Sequence, residues 1–413
     1  MSLSSQSSPG LLQQQPFVLF WAGRVASSMA YQMLALVIGW QVYELTDSAF
    51  DLGLVGLIQF VPAISLTLLV GHAADRYDRR LIVRGAQSIY VLAALMLAAA
   101  MLTGSLSRNL LFVAVFLIGC GRIFEATTMS ALVPALVPPP LISRAIAAWT
   151  SANQSAIICG PALGGLIYAL NPVLVTALCV VFFVTAITLI SFVRPRVLSE
   201  AREPPTLSSV LAGFHYIRMR QRLLGVVTLD LFVVLLGGVT ALLPVFARDI
   251  LEVGPIGLGL LRSAPAAGAL LTAGVLSRHP IERHIGYKMF AVVGIYGIAT
   301  IVFGLSTWFP LSLLALAVLG ASDAVSIVVR FSLVQIETPD AMRGRVSAIN
   351  YLFVGSSNTL GDFEAGAVAA LVGAVPSVLI GGFGSLAIAA IWMLLFPDLR
   401  RIDRFEPPEE KRT

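Results

Sequence analysis

Charge is scarce in this chain. Asp, Glu, Lys and Arg make up only 12% of its 413 residues, against about 25% in an average soluble domain. So few charges cannot cover a water-facing surface, which excludes an ordinary soluble globular protein. Cysteine is nearly absent as well: Cys120, Cys159 and Cys179 all fall inside apolar runs. None has metal-ligand spacing, and buried free cysteine behaves as a small hydrophobe. The four histidines, His72, His215, His279 and His284, lie at or near the ends of apolar runs. Neither a metal centre nor a histidine proton relay is expected. No Gly-x-x-x-x-Gly-Lys loop for nucleotide phosphates occurs, so ATP-driven pumping would need a separate subunit. No nucleophile–base constellation stands out, so neither catalytic residues nor a cofactor is expected, and the protein does not read as an enzyme. The residues before Pro16 are Ser- and Gln-rich and uncharged. They lack the basic start of a signal peptide and read as a short tail.

What is abundant is apolar. Hydrophobic residues make up 57% of the chain, and the mean hydropathy is +0.89. A spanning helix needs about 20 mostly apolar residues. Twelve stretches qualify, with approximate limits 17–43, 51–73, 81–103, 109–133, 145–169, 172–193, 223–247, 255–276, 286–307, 309–330, 346–371 and 376–396. In hydrocarbon every backbone polar group must pair internally, so these runs are predicted helices. The prediction is an all-α membrane protein with twelve transmembrane helices and little room for any soluble domain.

Basic residues orient it. Arg76, Arg79, Arg80 and Arg84 fall between spans 2 and 3, and Arg144 between spans 4 and 5. Arg194, Arg196, Arg202, Arg218, Arg220 and Arg222 fill the central loop. Arg278, Arg283 and Lys288 follow span 8, Arg343 and Arg345 follow span 10, and five more lie in the tail. The opposite loops carry only Arg108 and Arg248. By the positive-inside rule the first side, with both termini, is cytoplasmic. The net charge of +5 therefore calls for no nucleic-acid partner. It reports topology in a lipid bilayer and attraction to anionic headgroups.

The chain also repeats itself. At an offset of 203, Leu54–Arg80 aligns with Gly257–Arg283: Gly56 meets Gly259, Pro62 meets Pro265, Gly71 meets Gly274 and Arg80 meets Arg283. At an offset of 201, Arg144 meets Arg345, Gly160 meets Gly361 and Gly165 meets Gly366. Two segments at nearly one offset, at equivalent loops, predict two pseudo-symmetric six-helix halves. They span 1–193 and 223–413, the second including the tail, joined by an Arg-rich cytoplasmic linker at 194–222.

Between spans 2 and 3 the chain reads GHAADRYDRR from Gly71 to Arg80. It must turn the chain at a membrane face and lock two helices there. Gly71, Asp75, Arg76, Arg79 and Arg80 resemble the Gly-x-x-x-Asp-Arg-x-x-Arg-Arg loop of the major facilitator superfamily, with Asp78 where many members have glycine. Gly160, Pro161, Gly164 and Gly165 of span 5 resemble the Gly-Pro-x-x-Gly-Gly element of its antiporters. Physically, Pro161 bends a helix and the glycines admit a close neighbour, which suits a hinged contact between spans 5 and 8 or a generic packing face. Arg122 in RIFEA resembles the arginine of an Arg-x-x-Gln-Gly element in helix 4 of proton-coupled members, with Glu125 and Ala126 replacing its last two residues. GSSNTLGDFEAG in span 11 and TPDAMRGRV before it look like the drug:proton antiporter branch that includes enterobactin and macrolide exporters.

That resemblance implies a central cavity lined by helices 1, 4, 7 and 10, with a substrate site between the halves. Each of those spans carries a charge here: Arg24, Arg122, Asp230 and Asp323. Glu125 shares a helix face with Arg122, Arg262 lies in span 8, and Asp362 and Glu364 lie in span 11. Ionisable groups at this depth are costly and face a cavity or a partner. In one reading they are interior ion pairs, Arg122 with Glu125 among them. In the other, Asp230 and Asp323 carry protons, ionised beside an arginine and protonated once it leaves. Asp230 is favoured because nothing in its own span neutralises it, the nearest charges being Arg222 and Arg248 at the two ends. The expected function is secondary active transport by alternating access: proton-coupled export of a small amphipathic compound, drug or siderophore, from a monomer in the bacterial cytoplasmic membrane. The alternative is an organic-acid importer or a lysophospholipid flippase of the same superfamily.

Overall fold

A computed structural model describes residues 10–194 and 207–405. Its long elements are helices: α1 Gln15–Thr46, α2 Ala49–Arg76, α3 Arg79–Thr103, α4 Arg108–Leu136, α5 Ile142–Leu170 and α6 Pro172–Phe192. A linker helix α7, Leu207–Met219, follows. Then come α8 Gln221–Leu236, α9 Val239–Val245, α10 Gly254–Arg278, α11 Ile285–Leu305, α12 Phe309–Glu337, α13 Asp340–Val372 and α14 Ala374–Leu395, closed by the short α15 Pro397–Arg400. Among the described residues, ten stretches are long and apolar enough to cross a bilayer, one of them running from Gln221 to Ile250 through α8 and α9. The two remaining membrane-length helices are α5 and α13, of 29 and 33 residues. They are counterparts in the repeat and carry the more polar sequences, and they complete the twelve.

Local chemistry sets the ends. Ser107 caps α4 by accepting from the Leu110 amide, and Asn171 caps α6 ahead of Pro172. Gly104 takes φ +68° to close α3, a left-handed turn glycine adopts without strain. Span 7 is broken where two glycines adjoin: α8 stops at Leu236, Gly237 and Gly238 interrupt it, and α9 runs on past Pro244 into a π turn at Phe246–Ile250. The carbonyl of Gly237 accepts from the Tyr296 hydroxyl at 3.3 Å. Apolar side chains such as Leu92, Val181, Phe192, Leu271 and Leu394 lie exposed along the helices. On a soluble surface they would aggregate; on these helices they meet lipid.

The chain forms two compact units, Met1–Val37 with Pro62–Pro204, and Ile38–Val61 with Pro205–Thr413. They differ from the two sequence halves in one stretch: the end of α1 and the start of α2 pack with the second unit. Backbone proximity is the reason. A Cβ on Gly56 would stand 2.7 Å from the Thr359 carbonyl oxygen, and one on Gly53 2.9 Å from that of Phe363. Only glycine lets α2 approach α13 so closely. The first unit has a core of Phe17, Phe20, Met129, Leu132, Val133 and Ile190. The second has one around Leu223, Val226, Phe290, Val329 and Leu333. The linker helix belongs to the second, with the Tyr216 hydroxyl donating to the Glu337 carbonyl at 3.2 Å.

Candidate functional site

In the first unit a polar nest gathers around Glu125. This buried carboxylate accepts from the Ser27 hydroxyl at 2.6 Å, the Gln87 amide at 3.0 Å and the Tyr90 hydroxyl at 3.2 Å. Its ion-pair partner is Arg24 of α1, at 3.6 Å. Arg24 also donates to Asn153 of α5 at 3.0 Å and lies 5.8 Å over the Trp149 ring. The pairing of Glu125 with Arg122 expected from their i, i+3 spacing is thus replaced by a pair across helices. Arg122 instead stands 4.4 Å over the ring of Tyr31.

The second unit holds an opposite arrangement. Asp230 of α8 pairs with Arg330 of α12, both buried. Nothing in its own span neutralises Asp230, but its counter-ion comes from another helix, which removes the ground for favouring it as the free carrier. Span 10 was predicted to end at Arg330, at the membrane edge, but α12 continues to Glu337, which places that arginine two turns inside. Asp230, Arg330 and Asp323 line one narrow cavity of about 20 Å³ with Tyr296, Ser322 and Ser326, room for about one water. Asp323 lies seven residues before Arg330, two turns along the same face of α12, and has no ion-pair partner among the described residues. Nearby, Asp362 accepts from the Ala241 amide and feels the Arg262 guanidinium.

The α2–α3 loop is organised by a residue the motif did not assign. Asp78 caps α3, accepting from the Arg80 amide at 2.9 Å and from the Arg80 guanidinium at 2.7 Å. Those bonds hold its carboxyl below the usual range. Arg80 donates onward to the Val193 carbonyl at the end of α6, and Arg79 to the Ala131 carbonyl in α4. Arg76 ends α2. Gly71 lies within α2, and the side chain of Asp75 lies outside the described residues. The α5 glycines make their close contact with α1: a Cβ on Gly160 would stand 2.6 Å from the Gln32 Cβ, and one on Gly164 3.1 Å from the Met33 Cα. Pro161 and Gly165 are buried in the same helix. In the second unit a Cβ on Gly361 would stand 2.6 Å from the Val234 carbonyl oxygen. Gly160 on Gln32 and Gly361 on Val234 are the same contact, one repeat apart.

A sequence profile described as transmembrane secretion effector matches residues 5–409. The chain belongs to that family of the major facilitator superfamily. Among curated relatives, the enterobactin exporter EntS of Escherichia coli O1:K1 is 28% identical, over 97% of this chain and 96% of its own. That of Citrobacter koseri is 28% identical over 96% of each. Among solved structures, a variant of the nucleoside transporter NupG superposes with a TM-score of 0.76 at 12% identity, covering 92% of this chain and 100% of its own. A bacterial homologue of the iron transporter ferroportin, in an inward-facing state, gives 0.71 at 17%, covering 95% and 100%.

For a major facilitator protein, the residues that motif reading passed over are the partners of those it singled out. Arg330 holds Asp230, Tyr31 holds Arg122, and Ser27, Gln87 and Tyr90 hold Glu125. A further cluster, at the end of α1, was missed altogether. Arg248, in the π turn, bonds the Asp47 carboxylate at 2.6 Å and the Tyr43 carbonyl at 3.2 Å, and the Tyr43 hydroxyl bonds Asp249. Arg330 had one available signal, its seven-residue spacing from Asp323. The Tyr43–Arg248 contact, between residues 205 apart, had none.

Proposed function

We propose that this multi-pass membrane protein is a proton-coupled exporter of the bacterial inner membrane that moves a siderophore or similar amphipathic compound outward. Both termini face the cytoplasm, the working unit is a monomer, and no nucleic acid takes part. The observation that carries this reading is the end-to-end similarity to enterobactin exporters. Two six-helix halves rock about a site near mid-membrane, with the α2–α3 loop bracing the cytoplasmic side and the α5 bend serving as hinge. Asp323 is the proton carrier. It shares a cavity with the Asp230–Arg330 pair, so a shift of the Arg330 guanidinium along α12 changes whether Asp323 holds a proton. Asp230 keeps Arg330 in place between cycles. The nest of Arg24, Glu125 and Arg122 supplies the fixed charges of the first half.

The test is substrate-evoked proton flux. Purified protein is reconstituted into liposomes containing a pH-sensitive dye and challenged with siderophores, macrolides and cationic drugs. A flux that appears with one class and is lost in Asp323→Asn is the expected result. Flux with no compound, alongside uptake of a carboxylate or lysolipid, would overturn export.

A further inference from the structure

The nest in the first unit contains two arginines and one carboxylate, and the geometry divides them unequally. Glu125 is committed to Arg24 at 3.6 Å and to three hydrogen-bond donors. A carboxylate has about four lone-pair sites, so these partners occupy it. Arg122 has no carboxylate at salt-bridge distance among the described residues. Its neighbour is the Tyr31 ring, 4.4 Å below the guanidinium. The nest therefore keeps one net positive charge, and that charge sits on Arg122.

Arg122 is also accessible. Beyond its first turn, from Leu110 to Gly121, the exposed positions of α4 are apolar, Val113 at 51% and Phe116 at 44%, as contact with lipid requires. From Arg122 onward the exposed positions change to Arg122, Ala126, Thr127 and Ser130. A cation in hydrocarbon costs about 2.5–3.5 kcal/mol, and such groups face water-filled space or a ligand. Small and polar neighbours on the same face fit that alternative.

We infer that Arg122, seated on Tyr31, is the docking point for the anionic group of the transported compound. It takes an organic acid presenting two adjacent oxygens, a carboxylate or a catecholate. The planar guanidinium matches a pair of oxygens with two parallel hydrogen bonds. The cation–π contact with Tyr31 holds the guanidinium in place before the ligand arrives. Glu125 does not compete for it, because Arg24 already neutralises that carboxylate. The inference rests on the transporter reading above and narrows it: the same charge that draws an acid turns away a cationic drug.

Equilibrium binding tests it without any proton gradient. Purified protein in detergent is titrated with radiolabelled salicylate, then with a phenylammonium cation and a lysophosphatidylglycerol as competitors. Wild type should bind salicylate, a catechol carboxylate should displace it, and the cation should not. Arg122→Gln should weaken binding at least tenfold. Arg122→Lys, which keeps the charge but loses the fork, should fall between. Arg108→Gln, removing an arginine over Phe112 at the start of the same helix, should match wild type. Thermal unfolding of each variant separates lost binding from lost fold, and the Lys variant serves if the Gln variant does not fold. Equal affinity in wild type and Arg122→Lys or Arg122→Gln, or no organic-anion binding at all, would overturn the assignment. So would displacement by the cation, or by the lysolipid alone, which would make the anion a lipid headgroup. Arg122-dependent binding without coupled flux would sink the antiport reading and leave this one standing. Coupled flux with Arg122-independent binding would do the reverse.

Discussion

Asp230 shows what a single residue can mislead about. By sequence it is an unbalanced carboxylate in a span. In the structure it is half of a buried pair, with Arg330 only 3% exposed. Removing one member of such a pair leaves the other charged and unsolvated, at a cost of about 3–5 kcal/mol. Asp230→Asn should therefore lower the thermal unfolding midpoint sharply, and Asp230→Asn with Arg330→Met should recover most of it. An unchanged midpoint in the single variant would remove the pair from the structure's support. Asp78 is the reverse case, a half-exposed residue with a local role. Asp78→Ala should cost about 0.5–1 kcal/mol, the low end for a lost cap, read as faster amide exchange in the first turn of α3. Its folded carboxyl is held below the ordinary range by the hydrogen bonds from Arg80. The stabilisation is therefore complete above the unfolded carboxylate pKa and is lost as pH falls through the lowered folded one. Protection of that turn should fade at acid pH in wild type and change little with pH in the variant.

At the scale of elements, helix existence was legible and helix contact was not. Twelve apolar runs predicted twelve rods because period and length are local properties. The limits moved where a charge interrupts an apolar run that the helix continues, as α12 runs past Arg330 to Glu337, and that placed Arg330 two turns before the helix end. Packing was legible only through glycine. Gly160→Val should cost about 1–3 kcal/mol by overpacking against Gln32, whereas Gly85→Val, with nothing within 4 Å, should unfold like wild type. Equal losses in the two would show that the α1–α5 approach is not tight. The cluster at the end of α1 behaves differently. Arg248 and Asp47 are 35% and 72% exposed, and such pairs contribute about 0–1 kcal/mol. Arg248→Ala should leave global stability nearly unchanged while speeding amide exchange over residues 43–52. Unchanged exchange there would mean the contact does not pin the α1–α2 hairpin.

For the molecule as a whole, the repeat is the feature that links sequence to architecture. The offset of 201 between Gly160 and Gly361 predicted equivalent places in two halves. Each does meet the first long helix of its own half, at Gln32 and at Val234. The charges show where the halves have diverged. Around Arg122 the first keeps a positive excess, and around Asp323 the second keeps a carboxylate with no ion-pair partner among the described residues. In the antiport proposed above, the positive excess would hold the anion and the carboxylate the proton.

By itself the sequence determined the class, the predicted spans and the repeat, because each follows from composition, periodicity or spacing along the chain; the family came from the resemblance of its motifs. It also named most of the charged residues at issue, since any charge in an apolar run stands out. Tertiary structure alone decided their partners: Arg24 for Glu125, Tyr31 for Arg122, Arg330 for Asp230. A charge in a low-dielectric interior is defined by whatever neutralises it, and those neighbours come from other helices at separations with no trace in local pattern.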